Sequence, residues 1–361
     1  MSEWRECNLG DVVTFQRGFD ITQDKQVRGK YPVISSSGIK SFHNEFKVDG
    51  PGVVIGRKGT LGSVFYIDSD YWPHDTSLWV KNYHGNHPKF IYYFIKVLDL
   101  GQYDVGSSNP TLNRNHIHQL PILFPYLDEQ KAIALVLSSL DDKIDLLHRQ
   151  NKTLEAMAET LFRQWFVEEA QEDWEEVPLS TFADNIRDNV KVDDLSNHKH
   201  YVGLEHIPRK RVVLDAWGET GSLGSNKSTF KKYDILFGKL RSYFHKVVCA
   251  PINGVCSTDV LVIRPKNENW LPFCLFWFFS EDVVEHSDLG SGGTRMPRTN
   301  WEIVGGYKVP RPSNERIIEF DKIVRPSIEK MFENIDQIRT LEKLRDTLLP
   351  KLMSGEVRVT I

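Results

Sequence analysis

Two stretches of sequence decide the fold: NKTLEAMAETL at residues 151–161 and IRTLEKLRDTL at residues 338–348. At an offset of 187 residues, Thr-Leu-Glu and the later Thr-Leu recur in register. Each stretch lies in a longer apolar pattern with alternating steps of three and four residues, which is typical of the a/d seam of a coiled coil. The chain is therefore predicted to contain two copies of a long amphipathic helix.

The spacing also predicts the ends of each helix. The first begins at Asp128, where carboxylates favour a helix start, and runs to residue 166. The second runs from Asn314 toward Met353, with Pro326 predicted to kink or restart it and Gly355 predicted to stop it. The residues predicted to pack along the seam are Ile133, Leu137, Leu140, Ile144, Leu147, Leu154, Leu161, Met331, Ile335, Ile338, Leu341 and Leu348.

The two apolar stripes predict that the helices pack against each other. A lone stripe of this width must be buried, and the chain offers two helices of equal length. Antiparallel packing would place one globular domain at each end of the pair. Asn151 is polar on the seam, so it either fixes the register or weakens the pair, and we favour the role in register.

Four further matches precede the helices in the same order. Their offset grows slowly along the chain, as expected when loops differ in length, and this indicates a direct tandem repeat. The matched residues, first copy before second, are 4–9 with 174–179, 31–34 with 201–204, 54–58 with 236–240, and 75–80 with 257–262.

Each copy outside the helices is predicted to be a mixed α/β domain. Alternating runs of β-branched and aromatic residues are broken by turn formers such as residues 49–52 and 252–254. Short helices are expected at residues 88–98 and 271–284, the second apolar nearly all round and so part of a core. The predicted organisation is a first domain at residues 1–127, a helix at 128–166, a second domain at 167–312, and a second helix with a tail at 313–361.

Composition is that of an ordinary globular protein of 361 residues, with 40% hydrophobic and 26% charged residues. The sequence has no run of about 18 apolar residues and no export signal, so we expect a cytoplasmic protein. The four cysteines form no C-x-x-C pair, which favours structural thiols in a reducing compartment.

Charge is distributed unevenly along the chain. Residues 167–194 contain ten acidic and two basic residues, whereas residues 195–250 contain ten basic and four acidic residues. The basic stretch would suit a polyanion, and a chance cluster on a solvated surface is an equally good explanation.

Motifs for catalysis are not convincing. Residues 56–59 are too short for a P-loop, and Asn226 stands where a Walker motif would need glycine. Residues 56–59 also fit the KH loop, but that loop joins helices and this one joins apparent strands. Glu129-Gln130-Lys131 resembles the end of a nuclease motif, although capping of the helix explains it better.

Two other candidate chemistries are no stronger. Residues 109–111 lack the second proline and the aromatic residue of an amino-methyltransferase motif. The histidines have no metal-ligand spacing, so no metal site is expected.

Polar and basic residues remain, on loops at corresponding places in the two copies. Arginine and lysine suit phosphates and guanine edges, asparagine suits adenine, and serine and threonine suit either, although ordinary turn chemistry explains any one of them as well. The candidate nucleic-acid contacts are Ser36, Lys40, Arg57, Lys58, Thr60, Asn109, Asn113 and Arg114 in the first domain, and Arg209, Lys210, Lys239, Arg241, Tyr243, Arg295 and Arg298 in the second.

The helical segments carry a family resemblance. Residues 125–130, Ile133, residues 140–144 and residues 348–357 resemble the helical regions of the specificity subunit of type I restriction-modification enzymes. The resemblance covers the whole chain, is specific in the helices and is weak within the globular domains. It implies two target-recognition domains, held apart by an antiparallel helical pair, that read the halves of a bipartite, asymmetric site on double-stranded DNA.

The resemblance also implies partners and their cofactors. Two modification subunits, with adenine methyltransferase activity and S-adenosylmethionine, would dock on the helices. Restriction subunits with ATP-driven translocase and nuclease activity, using ATP and Mg, would join them, and the chain itself would bind no cofactor and be non-catalytic. In one departure, Pro297 and Arg298 stand in the second copy where the first has Asn113 and Arg114.

Two other classes of protein are compatible with parts of the sequence. A non-catalytic scaffold could bind proteins through two heads on a coiled coil, and a tight protein complex without DNA affinity would favour it. A self-contained nuclease is opposed by the absence of a carboxylate cluster. For a DNA reader of this size, we expect the two domains to contact the same DNA face about one turn, roughly 34 Å, apart.

Overall fold

The computed structural model describes residues 4–103, 111–221, 223–291 and 296–359. The chain divides into two compact units, residues 1–144 with 340–361 and residues 145–339. Asn109 and Arg295, two of the predicted contact residues, lie outside the described residues.

Unit 1 is a mixed α/β fold with mostly antiparallel strands. Its elements are β1 (Arg5–Asn8), α1 (Leu9–Val12), β2 (Thr14–Arg17), β3 (Tyr31–Ser35), β4 (Gly38–His43), β5 (Gly52–Gly56), β6 (Val64–Ile67), β7 (Trp72–Pro73), β8 (Ser77–Asn82), α2 (Pro88–Val97), α3 (Arg114–Ile117), β9 (Pro121–Phe124) and the start of α4 (Leu127–Arg163). The strands form sheets of order β2-β8-β5-β6, β4-β3-β7 and β1-β9.

Unit 2 begins within α4, which ends in a π-helical turn at Gln164–Glu168. Its further elements are β10 (Glu176–Pro178), β11 (Ala183–Ile186), β12 (Asn189–Val190), β13 (His200–Val202), β14 (Gly218–Glu219), β15 (Lys227–Phe230), β16 (Ile235–Gly238), β17 (Val247–Cys249), β18 (Gly254–Cys256), β19 (Val260–Pro265), α5 (Leu271–Phe279), α6 (Glu281–Leu289), α7 (Trp301–Val304), β20 (Lys308–Pro310) and most of α8 (Asn314–Met353). The strands form sheets of order β11-β19-β16-β17, β12-β15-β18-β13-β14 and β10-β20.

The two units repeat one topology, which confirms the predicted duplication. β2-β8-β5-β6 corresponds strand by strand to β11-β19-β16-β17, and the parallel pair β3 and β7 corresponds to β13 and β18. Alternate side chains of each central strand enter different cores, as the pleat of a strand requires. In β5, Val53 and Ile55 face one core cluster and Val54 another, and β16 divides its residues in the same way.

The strand pairing corrects one of the sequence matches. Gly56 pairs with Ser77, whereas Gly238 pairs with Val260. Gly56 and Gly238 are 182 residues apart, whereas Ser77 and Val260 are 183 residues apart. The match of residues 75–80 with 257–262, which uses an offset of 182, is therefore one residue out of register.

The predicted apolar helix at residues 271–284 is two helices. Ser280 has extended backbone angles, ends α5, and accepts a hydrogen bond from the Val283 N–H as the N-cap of α6. The sequence concealed this break because α5 is buried on every side and so has no apolar face whose end can be recognised.

The long helices form and end largely as their sequence predicts. Asp128 and Glu129 lie in the first turn of α4, and α8 ends two residues before Gly355, whose φ of +75° is a left-handed conformation that suits glycine. α8 continues through Pro326, so of the two predicted outcomes, a kink or a restart, the restart does not occur. Val324 and Ile328, on either side of the proline, are buried in the unit 2 core, and this packing holds the helix together.

Within each unit the two helical segments run antiparallel. In unit 1, Asp141 of α4 pairs with Arg345 of α8 at 2.9 Å, and Glu129 pairs with Arg358 beyond the end of α8. In unit 2, the Asn334 side-chain amide donates to the Asn151 Oδ1 at 2.7 Å, and both residues are buried. Asn151 therefore has a polar partner on the opposite helix, as a role in register requires.

Seam residues contribute to the cores of both units. Ile133 and Leu137 lie in the unit 1 core, and Met331 and Ile335 lie in the unit 2 core. Ile144, Leu147 and Ile338 are also buried, whereas the half-buried seam residues are Leu140, Leu154, Leu161, Leu341 and Leu348.

Candidate nucleic-acid interface

A glycine turn places two cations at the end of β5. The Gly56 N–H donates to the Ser63 carbonyl at 2.8 Å, and the Gly62 N–H donates to the Gly56 carbonyl at 3.0 Å. Gly59 and Gly62 have φ of +78° and +72°, which few other residues adopt. The turn joins β5 to β6, so it is not the helix-joining loop of a KH domain.

Arg57 and Lys58 follow Gly56 in this turn. Their N–H groups both donate to the Thr76 carbonyl, at 2.9 and 3.0 Å, so the backbone is fixed beneath the two side chains. Arg57 is half-buried and Lys58 is exposed. The Arg57 carbonyl accepts from the Leu112 N–H at 3.0 Å, which brings the segment before α3 against the turn.

These elements surround a cavity of about 750 Å³ in unit 1. Its lining is basic and polar: Gln16, Arg17, Arg57, Leu78, Lys81, Thr111, Leu112, Asn113 and Arg114. Partial burial and the charge of Arg17 lower the pKa of Arg57, while Asp75 opposes them. Cations that disfavour one another in this way would be stabilised by a bound anion.

Unit 2 has a cavity of about 280 Å³ at the equivalent place. Lys239 occupies the position of Arg57, and its carbonyl accepts from the Thr299 N–H at 3.1 Å, as the Arg57 carbonyl accepts from Leu112. Burial lowers the pKa of Lys239, Asp259 opposes it, and the charges of Arg298 and Arg187 lower it further. The lining residues are Asn185, Ile186, Arg187, Asn189, Ser228, Lys239, Thr258, Val260, Leu261, Thr299, Asn300, Trp301 and Glu302.

The loop correspondence predicted from sequence was wrong by three residues. Because the N–H groups of Leu112 and Thr299 make the equivalent bonds, Asn113 corresponds to Asn300 rather than to Pro297. Both asparagines are N-caps, Asn113 accepting from the Asn115 N–H and Asn300 from the Ile303 N–H. Asn113 and Arg114 therefore correspond to Asn300 and Trp301, and the departure at Pro297 and Arg298 was a misalignment of loops of different length.

Other predicted contacts of the first domain lie near the turn or apart from it. Thr60 is exposed within the turn. Ser36 lies close to the turn, because a Cβ atom added at Gly59 would be 3.9 Å from the Ser36 Oγ. Lys40 is exposed on β4, in the three-stranded sheet, and does not line the cavity among the described residues.

The predicted contacts of the second domain fall into three groups. The first group is Lys239, which lines the cavity, with Arg298, which binds Asp259 at 3.2 Å, and Arg241, whose N–H donates to the Pro297 carbonyl at 2.9 Å. Arg209 stacks 3.8 Å over the Phe244 ring, beside the exposed Tyr243.

The third group is Lys210 alone, which lies elsewhere. It lines a separate cavity with α4 residues and binds Glu281 at 2.7 Å. The structure therefore does not bring Lys210 together with Lys239.

Sequence reasoning missed the arginine that ends β2 and its counterpart after β11. Arg17 pairs with Leu78 in the sheet, and Arg187 follows Ile186 at the equivalent register. Arg17 binds Asp75 at 2.8 Å, and Arg187 binds Glu302 at 3.5 Å. Each partner is distant in sequence, so no local motif signals the pair.

Two buried features have structural explanations. Glu129, predicted as a helix cap, instead accepts a bond from the Trp4 Nε1–H at 3.0 Å and pairs with Arg358.

Cys249, Cys256 and Cys274 are buried. Burial raises the pKa of each thiol, to about 12 for Cys256, which suits inert core residues.

One group in the described part of the chain has metal-ligand proximity. Ligand atoms of Asp20, His74 and Asp75 lie within 4.8 Å of one another. Asp75 already binds Arg17, so we interpret this carboxylate as the partner of an arginine and not as a metal ligand.

No described helix is long and apolar enough to cross a membrane.

Comparisons with known proteins agree with this architecture. A model of the type I restriction modification DNA specificity domain matches residues 1–156. The MjaIX specificity subunit of Methanocaldococcus jannaschii is 28% identical over 304 residues, covering 75% of this chain and 69% of that protein. The HindI specificity subunit of Haemophilus influenzae is 21% identical over 99% of this chain and 100% of its own.

A solved structure has the same fold. The crystal structure of a type I restriction-modification system S subunit from M. genitalium superposes with a TM-score of 0.70 at 17% identity, covering 97% of this chain and 96% of that one. Duplicated α/β domains, each with a segment of the two long helices, are therefore the fold that this chain shares with that S subunit. Along its length the chain is similar to the specificity subunits of type I restriction enzymes, and its residues 1–156 match their DNA specificity domain.

Proposed function

We propose that this chain recognises a bipartite, asymmetric sequence in double-stranded DNA, with each domain reading one half. The observation that carries the proposal is the pair of cationic cavities at equivalent places in two unlike domains. Each combines a partly buried cation, Arg57 or Lys239, with arginine and asparagine side chains on the surrounding segments. Such groups bind phosphates and base edges.

The differences between the cavities support an asymmetric target. The first is lined by Arg17, Arg57, Lys81 and Arg114 without an acidic residue among its lining. The second is lined by Trp301 and Glu302. The corresponding residues of unit 1 are Arg114, which lines the first cavity, and Asn115. A negative charge and a flat apolar ring suit base edges different from those that arginine prefers.

Partner subunits are part of the same proposal. Two modification subunits would dock on α4 and α8 and supply adenine methylation with S-adenosylmethionine, and restriction subunits would supply ATP-driven and Mg-dependent chemistry. Large apolar side chains exposed on α4 support such docking: Leu135 is 70% exposed, Leu146 48% and Met157 57%. The chain itself would bind none of these cofactors and would act in the cytoplasm, where its free thiols stay reduced.

The experiment is co-expression of the full chain with a type I modification subunit from the same genome. We expect the two proteins to copurify, to bind DNA, and to methylate host adenines within one two-part motif. The modification subunit without this chain should leave the motif unmethylated. A tight complex that binds no DNA would contradict the proposal and favour a protein-binding scaffold.

A further inference from the structure

Each domain holds one exposed arginine against an aspartate beside its cavity. In unit 1, the Arg17 guanidinium binds the Asp75 carboxylate at 2.8 Å, with 54% of the arginine side chain exposed and 20% of the aspartate. In unit 2, Arg298 binds Asp259 at 3.2 Å, with 57% and 30% exposed. Both arginines are thus oriented yet still accessible.

The two aspartates occupy almost the same place in the fold. Asp75 and Asp259 both precede the strand that pairs with β5 or β16. The Asp259 carbonyl accepts a hydrogen bond from the Lys239 N–H at 2.8 Å, and the Thr76 carbonyl accepts the equivalent bond from the Arg57 N–H. Asp259 therefore corresponds to Thr76, the residue after Asp75. Each aspartate therefore lies beside the partly buried cation of its own cavity.

The two arginines, in contrast, come from different elements of the fold. Arg17 ends β2, whereas Arg298 lies in the segment before α7, where its backbone pairs with Leu240. The unit 1 residue at the position of Arg298 is Thr111, which pairs with Lys58 in the same way. The same kind of ion pair is therefore built from different parts of the chain in the two domains.

An ion pair this exposed contributes little to folding, generally less than about 1 kcal/mol. Its physical effect is to fix a flexible arginine in one direction, which lowers the entropy lost on binding. A guanidinium has five N–H donors, and the contact with aspartate leaves others available for a second planar acceptor. The O6 and N7 atoms of guanine in the major groove are such an acceptor.

We propose that Arg17 and Arg298 are specificity-determining residues that each read a guanine, and that Asp75 and Asp259 are their positioning residues. The inference rests on the proposed function, because it assumes that the cavities face DNA. Burial favours the neutral form of Asp75, but the bond from Arg17 and the neighbouring positive charges outweigh it and keep its pKa low, so the pair is ionised at neutral pH. Since the arginines come from elements that do not correspond in the repeat, the guanines would occupy different places in the two half-sites.

The test uses the full chain assembled with its modification subunits. The probes are the duplex containing the methylated motif and a set of duplexes that each change one base pair. We expect Arg17→Lys and Asp75→Asn to lose about 10-fold to 100-fold discrimination at one and the same base pair, with the other positions unchanged. Asp259→Asn should relax one position in the other half-site.

Asp20→Asn is the matched control, because it removes the same charge beside Asp75 and forms no ion pair in the described part of the chain. We expect Asp20→Asn to keep parental discrimination. If Asp75→Asn instead strengthens binding to every duplex equally, the aspartate only repels DNA and the inference is overturned. Parental discrimination in Arg17→Lys, which keeps a cation at a surface position, overturns it whatever Asp75→Asn does.

The outcomes also separate this inference from the proposed function. A parental complex that binds all duplexes equally contradicts both. A parental complex that prefers its motif, with unchanged preference in Arg17→Lys and Asp75→Asn, contradicts the inference alone.

Discussion

At the scale of single residues, the cavities are defined by cations whose charge is destabilised by their surroundings. Partial burial and the charge of Arg17 lower the pKa of Arg57, and burial with neighbouring arginines lowers the pKa of Lys239. A phosphate would relieve this repulsion in both cavities. The two residues are therefore the strongest candidates for contacts that do not depend on base sequence.

Arg57→Ala and Lys239→Ala should each weaken DNA binding for all sequences alike. If each side chain neutralises one phosphate, the slope of log affinity against log salt should become shallower by about 0.9. Binding isotherms over a series of salt concentrations measure this slope. Lys25→Ala, which removes an exposed lysine outside the cavity, should keep the parental slope. Salt titrations of Arg57→Ala that superimpose on those of the parent would show that the wrong surface has been assigned.

His118 is expected to link the stability of unit 1 to pH. Its Nε2 accepts a hydrogen bond from the Phe15 N–H at 3.0 Å, which requires an unprotonated nitrogen. Partial burial, then the charges of Arg114 and His84, lower its pKa below the usual 6.5. A histidine with a lowered folded pKa stabilises the fold above the pKa of the unfolded state, and that stability is lost as pH falls through the folded value.

The free energy of unfolding should therefore decrease as the pH falls below about 6.5. In His118→Gln, whose side-chain oxygen can replace the Nε2 acceptor, this decrease should be smaller. Urea unfolding across the pH range measures both proteins. His116→Gln changes an exposed histidine in α3, two residues before His118, and should retain the parental dependence. An unchanged pH dependence in His118→Gln would show that His118 does not link unit 1 to pH.

The sequence identified some site residues and could not identify others. Arg57, Lys239, Asn113 and Arg114 lie in glycine or asparagine turns, which have recognisable local patterns, and the structure places them around the cavities. Arg17 ends an ordinary strand, and its partner Asp75 is 58 residues away. Contacts of this kind are set by sheet register, which a single sequence does not reveal.

At the scale of elements, the two helix starts carry equivalent ion pairs with reversed charge. Near the start of α4, Glu129 pairs with Arg358 and binds the Trp4 indole. Near the start of α8, Arg316 pairs with Glu169 at 2.9 Å and lies 5.8 Å from the Trp174 ring centroid. Trp4 and Trp174 are matched in the repeat. Both copies therefore place an ion pair beside this tryptophan, but the residue on the helix is acidic in the first copy and basic in the second.

Burial makes the first of these pairs the more consequential. Glu129 is 8% exposed and its partner 27%, so Glu129→Gln removes the charge of a buried carboxylate that binds both Trp4 and a half-buried arginine, and it should cost about 1.5–3 kcal/mol of unfolding free energy. Glu169→Gln is the matched change in the other pair, which is 49% exposed on its acidic side, and its loss should be much smaller. Denaturant unfolding followed by tryptophan fluorescence measures both. Equal losses in the two variants would contradict this account of the helix starts.

The buried contact between Asn151 and Asn334 tests how the helices keep their register. Asn151→Leu leaves the Asn334 amide facing an apolar side chain, which should destabilise the chain by about 1–3 kcal/mol. The double variant with Asn334→Leu removes both polar groups and should recover much of that loss, at the expense of a defined register. A double-mutant cycle in urea measures the coupling. Additive losses would show that the two asparagines act independently.

The elements also show where sequence patterns are sufficient. The three- and four-residue steps persist over many turns, and they identify both long helices, in which seven of the twelve predicted seam residues are buried. Pro326 interrupts this pattern locally but not in the structure, because tertiary burial of its neighbours outweighs the lost hydrogen bond. The division of the apolar segment at Ser280 depends on one cap, a much weaker signal.

At the scale of the whole molecule, one topology occurs twice with different surfaces. The order of the four-stranded sheet and the parallel strand pair recur in both units, whereas the cavity of unit 1 is larger and more basic than that of unit 2. Repeated backbone geometry with divergent side chains is what a reader of two unlike half-sites requires. The duplication could be predicted from sequence because its helical parts repeat closely, whereas the loop correspondence at residues 111–114 and 298–301 needed the backbone hydrogen bonds.

The central claim is that each domain reads one half of the DNA site independently. Its most direct test is to exchange residues 1–127 for the same region of another specificity subunit, in the full chain with its modification subunits, and to sequence methylated genomic DNA. We predict that one half of the methylated motif changes to that of the donor while the other half stays parental. A motif in which both halves change, or neither does, would contradict the account.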